Sequence, residues 1–158
     1  MESARPALPG DHAAIVDLAR EAIAELRPNR GGAIWSRREA QAEPVEDAID
    51  EALADDPARA AVVGLVDDVV VGYGLMRAET LHDGAVLAMI SDLYVSPRAR
   101  GIGVGEAMMA ELESRARAWG AIGLDGIVLP GDRESKNFFE TFGLTARAIL
   151  VHRSLEDE

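Results

Sequence analysis

The sequence predicts an α/β protein of mixed type, with a central, mostly antiparallel twisted sheet flanked by helices on both faces. Three observations predict it. Apolar residues recur every three or four positions between Asp11 and Leu26, valine-rich segments fill Ala60 to Val95 between short turns, and after Pro97 helix and strand patterns alternate. The 158 residues suit a single domain spanning 1–158. A chain of this length buries roughly 70% of its unfolded surface and needs no disulfide or metal to stay folded.

The elements follow in order. Arg5 to Leu8 is expected to form a short first strand. Asp11 then precedes a helix with Ile15, Leu18, Ala19, Ala22, Ile23 and Leu26 on one face, stopped by Pro28-Asn29-Arg30-Gly31-Gly32. Ala33 to Glu43 lacks a helical period and is read as irregular, with Trp35 standing out. Pro44 opens a second helix that places Val45, Ile49 and Leu53 together. Ala60–Val66 and Val69–Ala78 form a hairpin around Asp67-Asp68, and His82-Asp83-Gly84 turns the chain into the strand Ala85–Val95. A helix then runs to about Trp119, and Leu124–Leu129 is a strand. Asp132 caps a short helix through Phe142. Gly143 before Leu144 has the form of a left-handed helix stop, and Thr145–Arg153 is expected to be the last strand.

The composition excludes several functions. A net charge of −12, from 16 basic and 28 acidic residues, offers no basic face to nucleic acid. It suits a cationic substrate, and equally serves plain solubility. No apolar run approaches 18 residues and the N-terminal stretch lacks a signal-peptide core, so no membrane partner and a cytoplasmic location are expected. There is no cysteine, and His12, His82 and His152 have no metal-ligand spacing, so no metal is expected. Lys136 is the one lysine, which leaves arginines and main chain to hold any anion.

The densest signal is Arg98-Ala99-Arg100-Gly101-Ile102-Gly103-Val104-Gly105, between an apolar strand and a helix. Glycines let the main chain approach a ligand closely, and a helix N-terminus presents free N–H groups with a partial positive charge. Arg98 and Arg100 add charge beside them. The segment is therefore read as a phosphate cradle. Its spacing is neither that of a dinucleotide-binding turn nor that of a P-loop.

Arg98-x-x-Gly101-x-Gly103 resembles the R/Q-x-x-G-x-G/A signature of GNAT acetyltransferases, and Asp92-Leu93-Tyr94-Val95-Ser96-Pro97 is similar to the strand end that precedes it there. The resemblance implies acetyl-CoA as cosubstrate. It implies that Leu93 and Val95 offer main-chain groups to pantetheine at a splayed strand, and that the Arg100 to Gly105 region, with Ile102 and Val104, holds the pyrophosphate. Leu93 would also donate its N–H to the oxyanion of the transition state. Asp92 is the expected general base, because it interrupts a central apolar strand beside the thioester position. A structural carboxylate or a substrate anchor would fit Asp92 equally well.

Two positions depart from the family pattern. Phe139 stands where a tyrosine acid is common, and Asp132 replaces an asparagine near the cofactor. A thiolate of pKa about 8.5 leaves tolerably well and can be protonated by water, so the cofactor site survives both changes. Tyr73 and Tyr94 are read as packing within strands, and Trp35 either lines the acceptor pocket or plugs the core. The expected activity is acetyl transfer to a primary amine of a small molecule or peptide, with a homodimer as the analogy from relatives. A CoA-binding regulatory module without turnover and a non-catalytic interaction domain are the alternatives.

Overall fold

The computed structural model describes residues 1–156. Five strands, β1 (Glu2–Pro6), β2 (Arg59–Val66), β3 (Val69–Thr80), β4 (Val86–Val95) and β5 (Gly123–Gly126), form one sheet in sequential order. The first four pair antiparallel, and β5 joins β4 in parallel. That parallel pair requires a crossover, supplied by helix α4 (Val104–Ala118).

Helices α1 (His12–Leu26) and α3 (Val45–Ala52) cover one face. Ile15, Ala19, Val45 and Ile49 pack there on Val63, Leu65, Tyr73 and Leu75. On the other face α4 and α5 (Arg133–Thr141) bury Met108, Met109, Leu112 and Phe139 against Val62, Met76, Ala88 and Ile90. Burying each of the large α4 side chains contributes roughly 2 kcal/mol. The axis of α4 comes close because Gly64, Gly72 and Gly74 lie beneath it. A Cβ at Gly64 would fall on Val104, and one at Gly74 would sit 3.1 Å from Leu112.

Four expected elements differ. The first strand is Glu2–Pro6 rather than Arg5–Leu8, since its partners on β2 are Val62 to Val66 and Pro9 starts a 3-10 turn. Ala33–Glu43 contains a helix, α2 (Gly32–Arg38), which starts after Gly31 at φ 80° and carries Arg37 and Arg38 in its last turn, where a helix favours cations. Strand β5 stops at Gly126 rather than Leu129, because its pairing with β4 ends there, opposite Ile90. Thr145–Arg153 makes no strand pairing among the described residues. The Asp132 cap is present, its carboxylate accepting the Ser135 N–H at 3.2 Å, and Gly143 has φ 83°.

Asp11 fixes β1 to α1. It is 7% exposed and accepts hydrogen bonds from Arg5 at 2.7 and 3.1 Å and from the Leu8 N–H at 2.7 Å. The Arg5 guanidinium, helped by the Leu8 N–H, holds its carboxyl below the usual range despite burial. Such a carboxylate stabilises the fold above its unfolded pKa and loses that contribution as pH falls through the depressed native value. Asp11→Ala should therefore cost about 2 kcal/mol at neutral pH. In denaturant titrations the deficit should shrink as the wild type is acidified; a deficit independent of pH would contradict this role.

Candidate active site

Strands β4 and β5 run together only from Leu87 to Ile90, opposite Gly123 to Gly126. Beyond Ile90 the strands part, and among the described residues no strand pairs with the β5-side edge of Ser91 to Val95. The parting coincides with a bulge: Leu75 pairs with Asp92 while Met76 pairs with Ile90, leaving Ser91 as the extra residue. One inserted residue exchanges the faces of everything after it. Ala88 and Ile90 face α4, whereas Tyr94 packs with Tyr73 and Leu75 on the α1 side. Leu93 and Val95 pack on the α4 side.

The same alternation orients the main chain. The Ser96 N–H donates to Val71 O at 2.8 Å, toward β3. Antiparallel pairing then turns the N–H and C=O groups of Leu93 and Val95 to the open edge. They look into a cavity of about 490 Å³ that is also lined by Arg100, Gly101, Gly105 and Asp132.

The glycine turn closes one end of this cavity. Gly101 and Gly103 adopt φ 79° and 101°, a backbone region that disfavours other residues. The first ladder bond of α4 runs from Ala107 N to Gly103 O at 3.0 Å. The N–H groups of Gly101, Ile102, Gly103, Val104, Gly105 and Glu106 have no acceptor among the described residues. Six unsatisfied donors at a helix N-terminus make a site for a strongly anionic ligand. Gly105 also serves packing: its backbone is helical, and a Cβ there would meet Phe138 at 2.9 Å.

The two arginines differ. Arg98 is exposed and has no ion-pair partner among the described residues. Arg100 folds back across the cavity wall, its Nε donating to Val95 O at 2.9 Å and its guanidinium pairing with Glu25 at 2.8 Å and Glu134 at 3.6 Å. It also lies over the Tyr94 ring. Its charge thus balances carboxylates that would otherwise repel an anion. Ile102 is half-exposed, and the Val104 side chain is core.

A smaller recess of about 70 Å³ borders the large cavity and shares Leu93, Tyr94, Asp132, Ser135 and Phe139 with it. Asp92 lines it. Its Oδ1 accepts from Gln41 Nε2 at 2.9 Å and Ser91 Oγ at 2.8 Å, and its Oδ2 accepts from the Tyr73 hydroxyl at 2.8 Å. Asp92 keeps some surface open to the recess, but protein surrounds it within the range where desolvation acts. Burial pushes its carboxyl above the usual range, and the three hydrogen bonds hold it back only in part. Four lone-pair directions on a carboxylate leave one for a further donor. Trp35 lines the same recess, brought there by the unexpected α2.

The Phe139 ring lines both cavities. Its Cζ would lie 3.0 Å from a Cβ at Gly126, so the tip of the ring points at β5. The Tyr94 hydroxyl is buried without a hydrogen bond of normal geometry, and burial beside Glu25 and Glu21 pushes its pKa up. Sequence reasoning missed Gln41, Tyr73, Ser91 and Ser135. Gln41 is 51 positions from Asp92, and the short helix that delivers it has no apolar period to reveal it.

Comparison with known proteins agrees with this geometry. The BH1408 protein of Bacillus halodurans, in a mutant form, superposes with a TM-score of 0.81 at 19% identity, covering 97% of this chain and 99% of that one. Glucosamine-6-phosphate N-acetyltransferase from Arabidopsis thaliana gives 0.71 at 15%, covering 99% of both chains. The AAC(6')-Iy structure with the bisubstrate analog CoA-S-monomethyl-acetylneamine gives 0.74 at 15%, again with 99% of both covered. These identities speak for the fold alone. No curated protein sequence matches the chain. The profile of the acetyltransferase (GNAT) family matches residues 20–144, and with the parted strands and the glycine turn in place, the chain belongs to that family.

Proposed function

We propose that the chain is an N-acetyltransferase that moves the acetyl group of acetyl-CoA directly to a primary amine of a small molecule or peptide. The observation that carries this reading is the row of unpaired N–H groups from Gly101 to Glu106, opening onto the free edge of β4. Acetyl-CoA supplies the activated acyl group as a thioester. The chain's residues fit such a molecule: the row of N–H groups binds pyrophosphate with Arg98 beside it, and the Leu93 and Val95 main chain holds the pantetheine arm. Arg100 must release Val95 O for that last contact.

For the transfer itself, the amine nitrogen bonds to the acyl carbon as the carbon–sulfur bond breaks, Leu93 N–H donates to the acyl oxygen as charge builds there, and CoA leaves as a thiolate that water protonates. Asp92, with a raised pKa and one acceptor direction to spare, takes the proton from an ammonium in the small recess. The two cavities meet at Leu93, which brings acyl group and amine together. No metal is needed for these steps. Among the described residues no acidic or histidine cluster could hold one. A second reading, CoA binding without turnover, draws support from Phe139 and from the three donors already on Asp92.

Gly103→Glu places a bulky anion in the nest at a positive φ. It should weaken acetyl-CoA binding more than about tenfold by calorimetry, the scale of one lost charge-assisted contact; unchanged affinity would refute the pyrophosphate assignment. Asp92→Asn should leave that affinity intact and lower kcat about 100-fold. Wild-type kcat should rise as pH climbs through the raised Asp92 pKa, and the variant should recover as pH nears the amine pKa of about 10. Because a raised carboxyl pKa opposes folding once the group ionises, Asp92→Asn should also unfold no lower than wild type at neutral pH. An unchanged rate assigns Asp92 a structural role. Phe139→Tyr should not raise kcat and should lower stability by about 1 kcal/mol, because the added hydroxyl crowds Gly126.

A further inference from the structure

The small recess has one polar point and otherwise hydrocarbon walls. Gln41, Ser91 and Tyr73 all donate to Asp92, so their donors are spent on that carboxylate. Helix α1 contributes Ala19, Ala22, Ile23 and Leu26 to the lining, and the chain after β5 contributes Ile127 and Leu129. Trp35, Tyr94 and Phe139 add ring surface. Among the described residues no arginine, lysine or histidine lines the recess.

The other carboxylates around it are engaged. Asp132, on the border with the large cavity, caps α5. Glu25 and Glu134 pair with Arg100, and Glu39 pairs with Arg38. That leaves Asp92 as the carboxylate in the recess with an acceptor direction to spare.

We propose that this recess takes a compact primary monoamine whose body is plain hydrocarbon; on the acetyl-transfer reading, on which this rests, such an amine is the acceptor. Its ammonium pairs with Asp92, and its body lies against the walls from α1 and from Ile127 and Leu129. The recess measures about 70 Å³, and at roughly 10–15 Å³ of such space per water it takes about five to seven water-sized groups. That suits one nitrogen and about four to six carbons.

The same walls select against other amines. A second ammonium would surrender its hydration to hydrocarbon and gain no carboxylate in return. The hydroxyls of an amino sugar and the amides of a peptide would be buried without partners. A phosphate or carboxylate on the ligand would lie near Asp92 with no cation to balance it. The net charge of −12 favours polycations during encounter, but it acts at long range, whereas the lining decides what stays bound.

Thiol release from acetyl-CoA, run beside calorimetric titration of the full chain with each amine, tests this. Pentylamine and cadaverine form a matched pair, alike except for one added ammonium. Pentylamine should exceed cadaverine in affinity and in kcat/KM by more than about tenfold. From propylamine to pentylamine, each methylene should raise kcat/KM about fourfold. Cadaverine within about tenfold of pentylamine, a series that does not rise, or a better rate with neamine, glucosamine 6-phosphate or a dipeptide overturns the proposal and leaves acetyl transfer standing. Selective binding of pentylamine without thiol release supports the assignment of the recess and overturns acetyl transfer instead. Pentylamine that neither binds nor reacts overturns the proposal.

Discussion

One extra residue, Ser91, sets the geometry of the candidate site. A sheet strand is committed to one alternation of faces, and all side chains after an insertion change sides together. Without the bulge, Asp92 and Tyr94 would continue the line of Ala88 and Ile90 into the packed layer under α4. With it, Asp92 meets Gln41 and Tyr73 on the opposite face, and the Leu93 and Val95 main chain turns to the side where β5 has already ended. The cleft for an extended ligand, the carboxylate beside it and the wall between them follow from that single irregularity.

The surrounding packing keeps the cleft open. Gly64, Gly72 and Gly74 let α4 settle close on β2 and β3, which aims its N-terminus at the end of β4. Phe138 against Gly105 and Phe139 against Gly126 fix α5 on the far side. The helix that donates the free N–H groups is therefore held by buried contacts along its length, while its first turn stays unsatisfied. Buried unpaired donors are unfavourable, and their retention at a rigid helix end is what supports the proposed phosphate site.

Much of the fold was legible in the sequence, because α1, the β2–β3 hairpin and α4 are long and strongly periodic. The glycine turn was legible for a different reason: three alternating glycines with two arginines make no sense as packing alone. Helix α2 was not, since seven residues with little apolar period cannot be told from a loop, and with it went Gln41 and the setting of Trp35. The strand expected at Thr145–Arg153 has apolar residues suited to a strand but makes no pairing among the described residues. The roles of Arg98 and Arg100 looked equal on paper; only the distant Glu25 and Glu134 distinguish them.

The central claim is that the gap between β4 and β5 holds CoA by main-chain contacts. Amide resonances or residue-level hydrogen exchange, recorded with and without CoA, address it directly. The account predicts that ligand perturbs and protects the N–H groups of Gly101 through Glu106 together with Leu93 and Val95, leaving β1 and β2 unchanged. Saturable CoA binding that leaves those groups untouched, or no binding at all, would contradict it.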